Sequence, residues 1–301
     1  MLHYDFMQRA FCAGGIIALL ASTLGVYLML SRQELMADML SHVSLAGVAA
    51  GALLGFNPTL AGFCTAVLGA MAVEYVRRSY KSYSDISVAI IMIGGLSLAV
   101  VLMSMNKHLT RSFSSYLFGT VVAVNATELA MLAFVALAGG LFFYRYRRPL
   151  YLLAFDEETA RTAGVPVGRL TFAFSILTGM VVAAAMPIVG VLLVSSLIVL
   201  PAALANRLAR SFGQALGLSA LIGLAGVFAG LTGSYHWNTP PGGTIALVLL
   251  ALWLAGTASR RVWRYAGKKK TEKDCMHRFS GSPATEPLVP SVYSPKEDSF
   301  P

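Results

Sequence analysis

Apolar residues in this chain fall in long unbroken runs, without the alternation or one-faced spacing of a soluble fold. Runs long enough to cross a hydrocarbon core of about 30 Å lie at roughly 10–30, 40–56, 58–76, 86–104, 127–145, 170–187, 188–205, 214–235 and 243–259. They predict about nine transmembrane helices, the second of them short, with a tight proline-marked turn at 187/188. The run at 10–30 is as long as a spanning helix and lacks the basic start and cleavage site of a signal peptide. It reads as a retained anchor.

Past Lys268 the pattern changes to a polar, Pro- and Ser-rich segment, "KKKTEKDCMHRFSGSPATEPLVPSVYSPKEDSFP". It has too little apolar surface to offset the entropy of ordering. The expected organisation is a transmembrane domain over 1–267 and a disordered cytoplasmic tail over 268–301.

Composition agrees: 56% of the 301 residues are hydrophobic and 12% charged, against about a quarter charged in soluble domains. The fold class is therefore an all-α polytopic membrane protein. A formal charge of +9 raises nucleic acid as a partner, but the basic residues sit in short clusters between apolar runs. Arg77, Arg78 and Lys81 form one cluster, Arg145, Arg147 and Arg148 a second, Arg207 and Arg210 a third, and 260–270 a fourth. That is the positive-inside pattern of cytoplasmic loops and excludes a nucleic-acid-binding face. It places the N-terminus outside, the C-terminus inside and "SYHWNTPPGG" outside, with Lys107 and Arg111 running against the rule. The three cysteines are scattered and form neither a disulfide framework nor a CxxC motif. Gly47, Gly51 and Gly55, and again Gly226 and Gly230, have the GxxxG spacing that lets membrane helices approach closely.

Four features carry candidate chemistry. Asp38 and His42, at i and i+4, share one helix face near the edge of an apolar segment. A carboxylate oxygen with an imidazole nitrogen suits Zn²⁺, with Mn²⁺ or Fe²⁺ as alternatives. The plain alternative is that Asp38 caps the helix and His42 bonds a carbonyl. The polar island at 154–170 predicts a short helix opened by Asp156, Glu157 and Glu158, carrying Arg161 and ended by Gly164 and Pro166. Such a helix on a short-looped face is either a docking surface or an ordinary solvated loop.

Third, Ser195, Ser196 and Pro201 share one span, where proline frees a carbonyl and bends or kinks the helix. Fourth, His236 and Asn238 in the outer loop could meet incoming metal, or belong to an interfacial stretch with Tyr235 and Trp237. There is no GxxxxGK[ST], HExxH or GxSxG sequence, so the chain is not expected to be an enzyme that hydrolyses ATP, or one of the familiar hydrolases.

The segments "RQELMADMLSHVSLAGVAAG", "SSYLFGTVVAV", "FDEETARTAGVPV" and "SSLIVLPAALANRLAR", in that order, resemble the permease subunits of bacterial metal-uptake ABC transporters. With the start "YDFMQRA", the chain is most similar to the zinc permeases of the ZnuB/AdcB type, with manganese and iron permeases as near relatives. The resemblance runs from about Tyr4 to Ser259. It implies a homodimeric pore in the bacterial cytoplasmic membrane, a metal-binding protein on the outer face and a cytoplasmic ABC ATPase, which binds the ATP. It carries a metal-pathway role onto Asp38 and His42. It carries ATPase coupling onto Phe155, Asp156, Glu157, Glu158, Ala160, Arg161, Gly164 and Val165. It implies zinc as cargo, with no permanently bound cofactor. One departure stands out: Asn238 occupies a position before the outer Thr-Pro where many zinc members have an acid. The rival readings are an ion-gradient carrier using Asp38 and Glu74, and a membrane metalloenzyme that would lack a third ligand.

Overall fold

The computed structural model describes residues 5–79, 84–105, 114–120 and 126–280. Nine helices among them are long and apolar enough to cross a membrane. In chain order the helices are α1 (Asp5–Leu30), α2 (Glu34–Leu54), α3 (Pro58–Ser79), α4 (Ser84–Ser104), α5 (Ala126–Phe155), α6 (Glu157–Thr162), α7 (Val167–Val189), α8 (Val191–Leu208), α9 (Phe212–Trp237) and α10 (Pro241–Ser280). All but the six-residue α6 are candidate spans. Lys107, Arg111 and residues 281–301 lie outside the described residues.

Contacts divide the chain into two units, Met1–Thr257 and Ala258–Pro301. The last helix extends to Ser280, so 268–280 are helical where the composition predicts disorder. Lys, Glu and Met in that stretch propagate a helix already nucleated by an apolar span.

Inside the first unit the helices are unequally enclosed. The apolar windows of α1, α2 and α7 are 61%, 67% and 72% buried, against 17% for α4, α5 and α10. Leu24, Met36, Leu40, Val181, Leu197 and Ile198 knit α1, α2, α7 and α8 into the core. The outer helices instead expose Ile90 and Ile93, Leu137 and Leu141, and Leu247 and Leu254. In lipid such faces carry no desolvation penalty, so helix association rests on close packing and polar contacts.

Small residues set that packing. A Cβ on Gly47 would overlap the Thr65 hydroxyl, and one on Gly62 would lie 2.6 Å from Val48 Cγ2, so α2 and α3 meet almost backbone to backbone. Gly226 and Gly230 give α10 the same access through Leu249 and Ile245. Gly55 does not join this stripe. It is the left-handed C-cap of α2 at φ +75°, because the helix ends at Leu54. Gly47→Val is expected to overpack this contact by roughly 1–3 kcal/mol. A lowered melting temperature in detergent checks it, with Gly140→Val, at a site with open space around it, as the control.

Two helix boundaries differ from the sequence expectation. The break between the sixth and seventh spans falls at Gly190, where φ is +91°, while Pro187 remains inside α7. Glycine adopts that angle freely, and the backbone at Gly119 packs against it too closely for a Cβ on either residue. The second span starts at Glu34, not near residue 40. Its polar first turn belongs to the helix although it is not apolar.

Candidate functional site

The start of α2 places Asp38 and His42 one and two turns into the helix, about 6 and 12 Å along its axis. Gln33 is the N-cap residue, so Asp38 does not cap. His42 is 7% exposed, and Gly95 of α4 packs against its backbone; a Cβ there would come within 3.3 Å of the His42 carbonyl carbon. Among the described residues its Nδ1 is buried without a hydrogen-bond partner. Nε2 lies 3.9 Å from Asp38 Oδ1, a carboxylate one-third exposed. That is too long for a hydrogen bond.

The separation is informative against metal geometry. Two bonds of about 2.0–2.2 Å meeting at a tetrahedral angle put their donor atoms about 3.4 Å apart. The pair is therefore slightly wider than a tight tetrahedral bite. Among the described residues no group of three or more His, Cys, Asp or Glu could hold a metal ion. The pair therefore presents one nitrogen and one carboxylate donor, with no third His, Cys, Asp or Glu grouped beside it among the described residues. Nearby hydroxyls are otherwise engaged: Ser41 donates to the Ala37 carbonyl, and Ser44 Oγ contacts the Gly62 carbonyl and Met186 Sδ.

At the same end of the bundle α6 is built as its sequence predicts. Asp156 is the N-cap and accepts from the Glu158 amide and the Thr159 hydroxyl. Glu157 pairs with Arg161 at 2.5 Å. Gly164, at φ +78°, donates to the Arg161 carbonyl and Val165 to the Ala160 carbonyl, which closes the helix with a Schellman motif. Ala160 is buried, while Phe155, Asp156, Glu157, Glu158, Arg161 and Gly164 are exposed. The result is a rigid, charged knob only six residues long.

The Thr159 hydroxyl, and then the Glu158 amide, hold the Asp156 carboxyl below the usual carboxylate range. The native pKa lies below the unfolded one, so the cap's contribution is full above about pH 4. It is lost as pH falls through the lowered native value. Asp156→Ala is expected to speed amide exchange over 157–162 several-fold at neutral pH. The difference should fade in strong acid.

His236 and Asn238 are at the opposite end of the bundle and are not brought to the pair. The His236 Nδ1 is 3.1 Å from the Thr232 carbonyl. Asn238 is the left-handed C-cap of α9, at φ +50°. Asparagine is one of the few non-glycine residues that tolerate this angle, which gives its presence a local cause. Asn238 lines a cavity of about 650 Å³ with Phe118, Gly119, Ser234, Tyr235 and Thr239; His236 does not. In α8, Pro201 is buried in a continuous helix. The Ser196 hydroxyl donates to the Leu193 carbonyl, not to the carbonyl freed by the proline.

One constellation was legible only in part, with Glu74 read as a candidate acid and Arg77 and Arg78 as a basic cluster, but not as one group. Glu74, buried at 3% exposure in α3, accepts from Arg78 at 3.0 Å, Ser175 at 3.1 Å and Arg77 at 3.5 Å. Arg77 and Arg78 follow Glu74 at helical spacing, but Ser175 lies 101 residues away, and only the fold brings it there.

Comparison with known proteins supplies the family. The sequence model of the ABC 3 transport family matches residues 3–260. A probable metal transport system membrane protein of Treponema pallidum is 36% identical over 265 residues, 88% of this chain and 99% of the relative. The manganese transport system membrane protein MntC of Halalkalibacterium halodurans is 28% identical, covering 84% of this chain and 87% of its own length. Among solved structures, PsaBC from Streptococcus pneumoniae in complex with Fab superposes with a TM-score of 0.75 at 27% identity, over 85% of this chain and 92% of that one. With nine candidate spans among its described residues and a family match over 3–260, the chain belongs to the ABC 3 transport family, as a multi-pass permease of the bacterial plasma membrane and not an enzyme.

Proposed function

We propose that this chain is the membrane-spanning subunit of an ATP-driven importer of divalent transition metal, with zinc as its cargo. The observation that carries this reading is the Asp38–His42 pair: a buried imidazole with an orphaned nitrogen, 3.9 Å from a half-buried carboxylate. A site with two donors, short of the four of a closed zinc centre, suits an ion that must leave again, because conduction requires weak holding. The mixed nitrogen and oxygen set favours zinc over an all-oxygen preference.

In this reading the N-terminus is outside and a loaded extracytoplasmic binding protein docks at the end bearing Asn238 and the 650 Å³ cavity. Two copies of the chain form the pore, and the cytoplasmic ATPase engages α6. Closure of the ATPase on ATP moves α6, and the metal passes Asp38 and His42. A gradient-driven carrier fits less well, because Glu74, its other candidate acid, is held by two guanidinium groups. Manganese is the second reading, favoured by the relative named for that metal.

Elemental analysis of metal-starved cells lacking the chain, with and without the gene restored, tests the proposal. Zinc recovered on restoration supports it. Manganese or iron recovered instead moves the cargo to that metal, and recovery of none of the three removes the import function.

A further inference from the structure

The Glu74 cluster does something that neither the metal pair nor α6 explains. Its carboxylate is held from its own helix by Arg77 and Arg78 and from α7 by Ser175. The far end of the Arg78 guanidinium donates to the Gly168 carbonyl in the first turn of α7, and its Cζ lies over the Phe172 ring, 5.8 Å from the ring centre. Positions 168, 172 and 175 are spaced i, i+4 and i+7, so α3 grips one face of α7. A Cβ on Gly168 would meet the Arg78 guanidinium in ordinary van der Waals contact, 3.4 Å away, which places the arginine directly against the first turn of α7. Both guanidinium groups and the Ser175 hydroxyl already occupy the Glu74 oxygens, which argues against a role for the carboxylate as a cation station.

Its position gives it a role. Gly168 follows the Gly164 terminus of α6 by four residues. On the other side, α3 packs against α2 so closely that a Cβ on Gly69 would lie 2.8 Å from Val43, the neighbour of His42. We propose that Glu74, bonded directly to Ser175 and through Arg78 to the Gly168 carbonyl, is the joint that passes movement of α6 to the α2–α3 pair carrying Asp38 and His42. This rests on α6 being the ATPase contact. Glu74 and Arg78 are positioning residues: they touch neither metal nor nucleotide.

The planar fork of arginine reaches the carboxylate and the carbonyl together, whereas lysine offers one point charge. Arg78→Lys therefore keeps the ion pair that stabilises the buried acid while cutting the bridge. Glu74→Gln keeps a polar contact to Ser175 and removes the charge. Both are tested in proteoliposomes holding the complete complex with its ATPase and binding protein, with Zn²⁺ and Mn²⁺ each supplied.

The readout is ATP hydrolysed per metal ion delivered, together with the amount of assembled complex. Arg78→Lys is expected to assemble at wild-type amounts and to raise the ratio at least tenfold, with Glu74→Gln doing the same. An unchanged ratio in both, or hydrolysis and transport falling in proportion in both, would overturn the joint and leave a packing contact. Failure of the α6 reading looks different: Glu157→Lys would retain a bound, stimulated ATPase, whereas the joint is judged by the ratio with α6 intact.

Discussion

Replacing His42 with alanine, or Asp38 with asparagine, is expected to remove most metal uptake while the chain still reaches the membrane in normal amounts. The expected loss is roughly tenfold or more, the scale on which weaker perturbations of metal sites already act. Here one of two donors disappears outright. Neither change should unfold the helix. Among the described residues His42 makes no hydrogen bond that alanine would break, and the Asp38 carboxylate has no partner closer than 3.9 Å. Filling the imidazole space with water costs less than burying an unpaired polar group. The check is cellular metal content beside membrane abundance. Equal rescue by His42→Ala would return that residue to packing.

The second large effect concerns α6. Glu157→Lys places two cations four residues apart where a 2.5 Å ion pair now stands. Gly164→Pro imposes φ near −65° on a residue that sits at +78° and removes the amide that bonds the Arg161 carbonyl. Both variants are expected in the membrane with the nine-span unit intact, because α6 contributes only Ala160 to the buried set. Both should lose the ATPase or fail to stimulate it. Normal co-purification with full stimulation in both would end the assignment of 154–169 as the coupling segment.

The contrast between α6 and Glu74 shows what could be read before folding. Everything that defines α6 is local: a capping acid, an i, i+4 ion pair and a left-handed glycine, all inside ten residues. Spans were legible for the same reason, since twenty apolar residues in a row need no partner to be recognised. Their ends were less so. α2 begins at Glu34 because a helix continues past its apolar stretch into charged residues that hydropathy assigns to a loop. Gly55 matched a packing motif in spacing but caps the helix in fact, a distinction that rests on a backbone angle and not on composition. Ser175 and Gly168 carry no signal at all. Their meaning arises only when α7 is laid against α3.

The near-contact of α2 and α3 through Gly47 and Gly62 has a kinematic corollary. Two helices interlocked at that depth cannot slide or splay without collision, so they travel as one rigid plank with Asp38 and His42 fixed on its edge. In the proposed import cycle, opening a passage must then use a different seam, and the proposed metal station is carried toward or away from the opening instead of being reshaped by it.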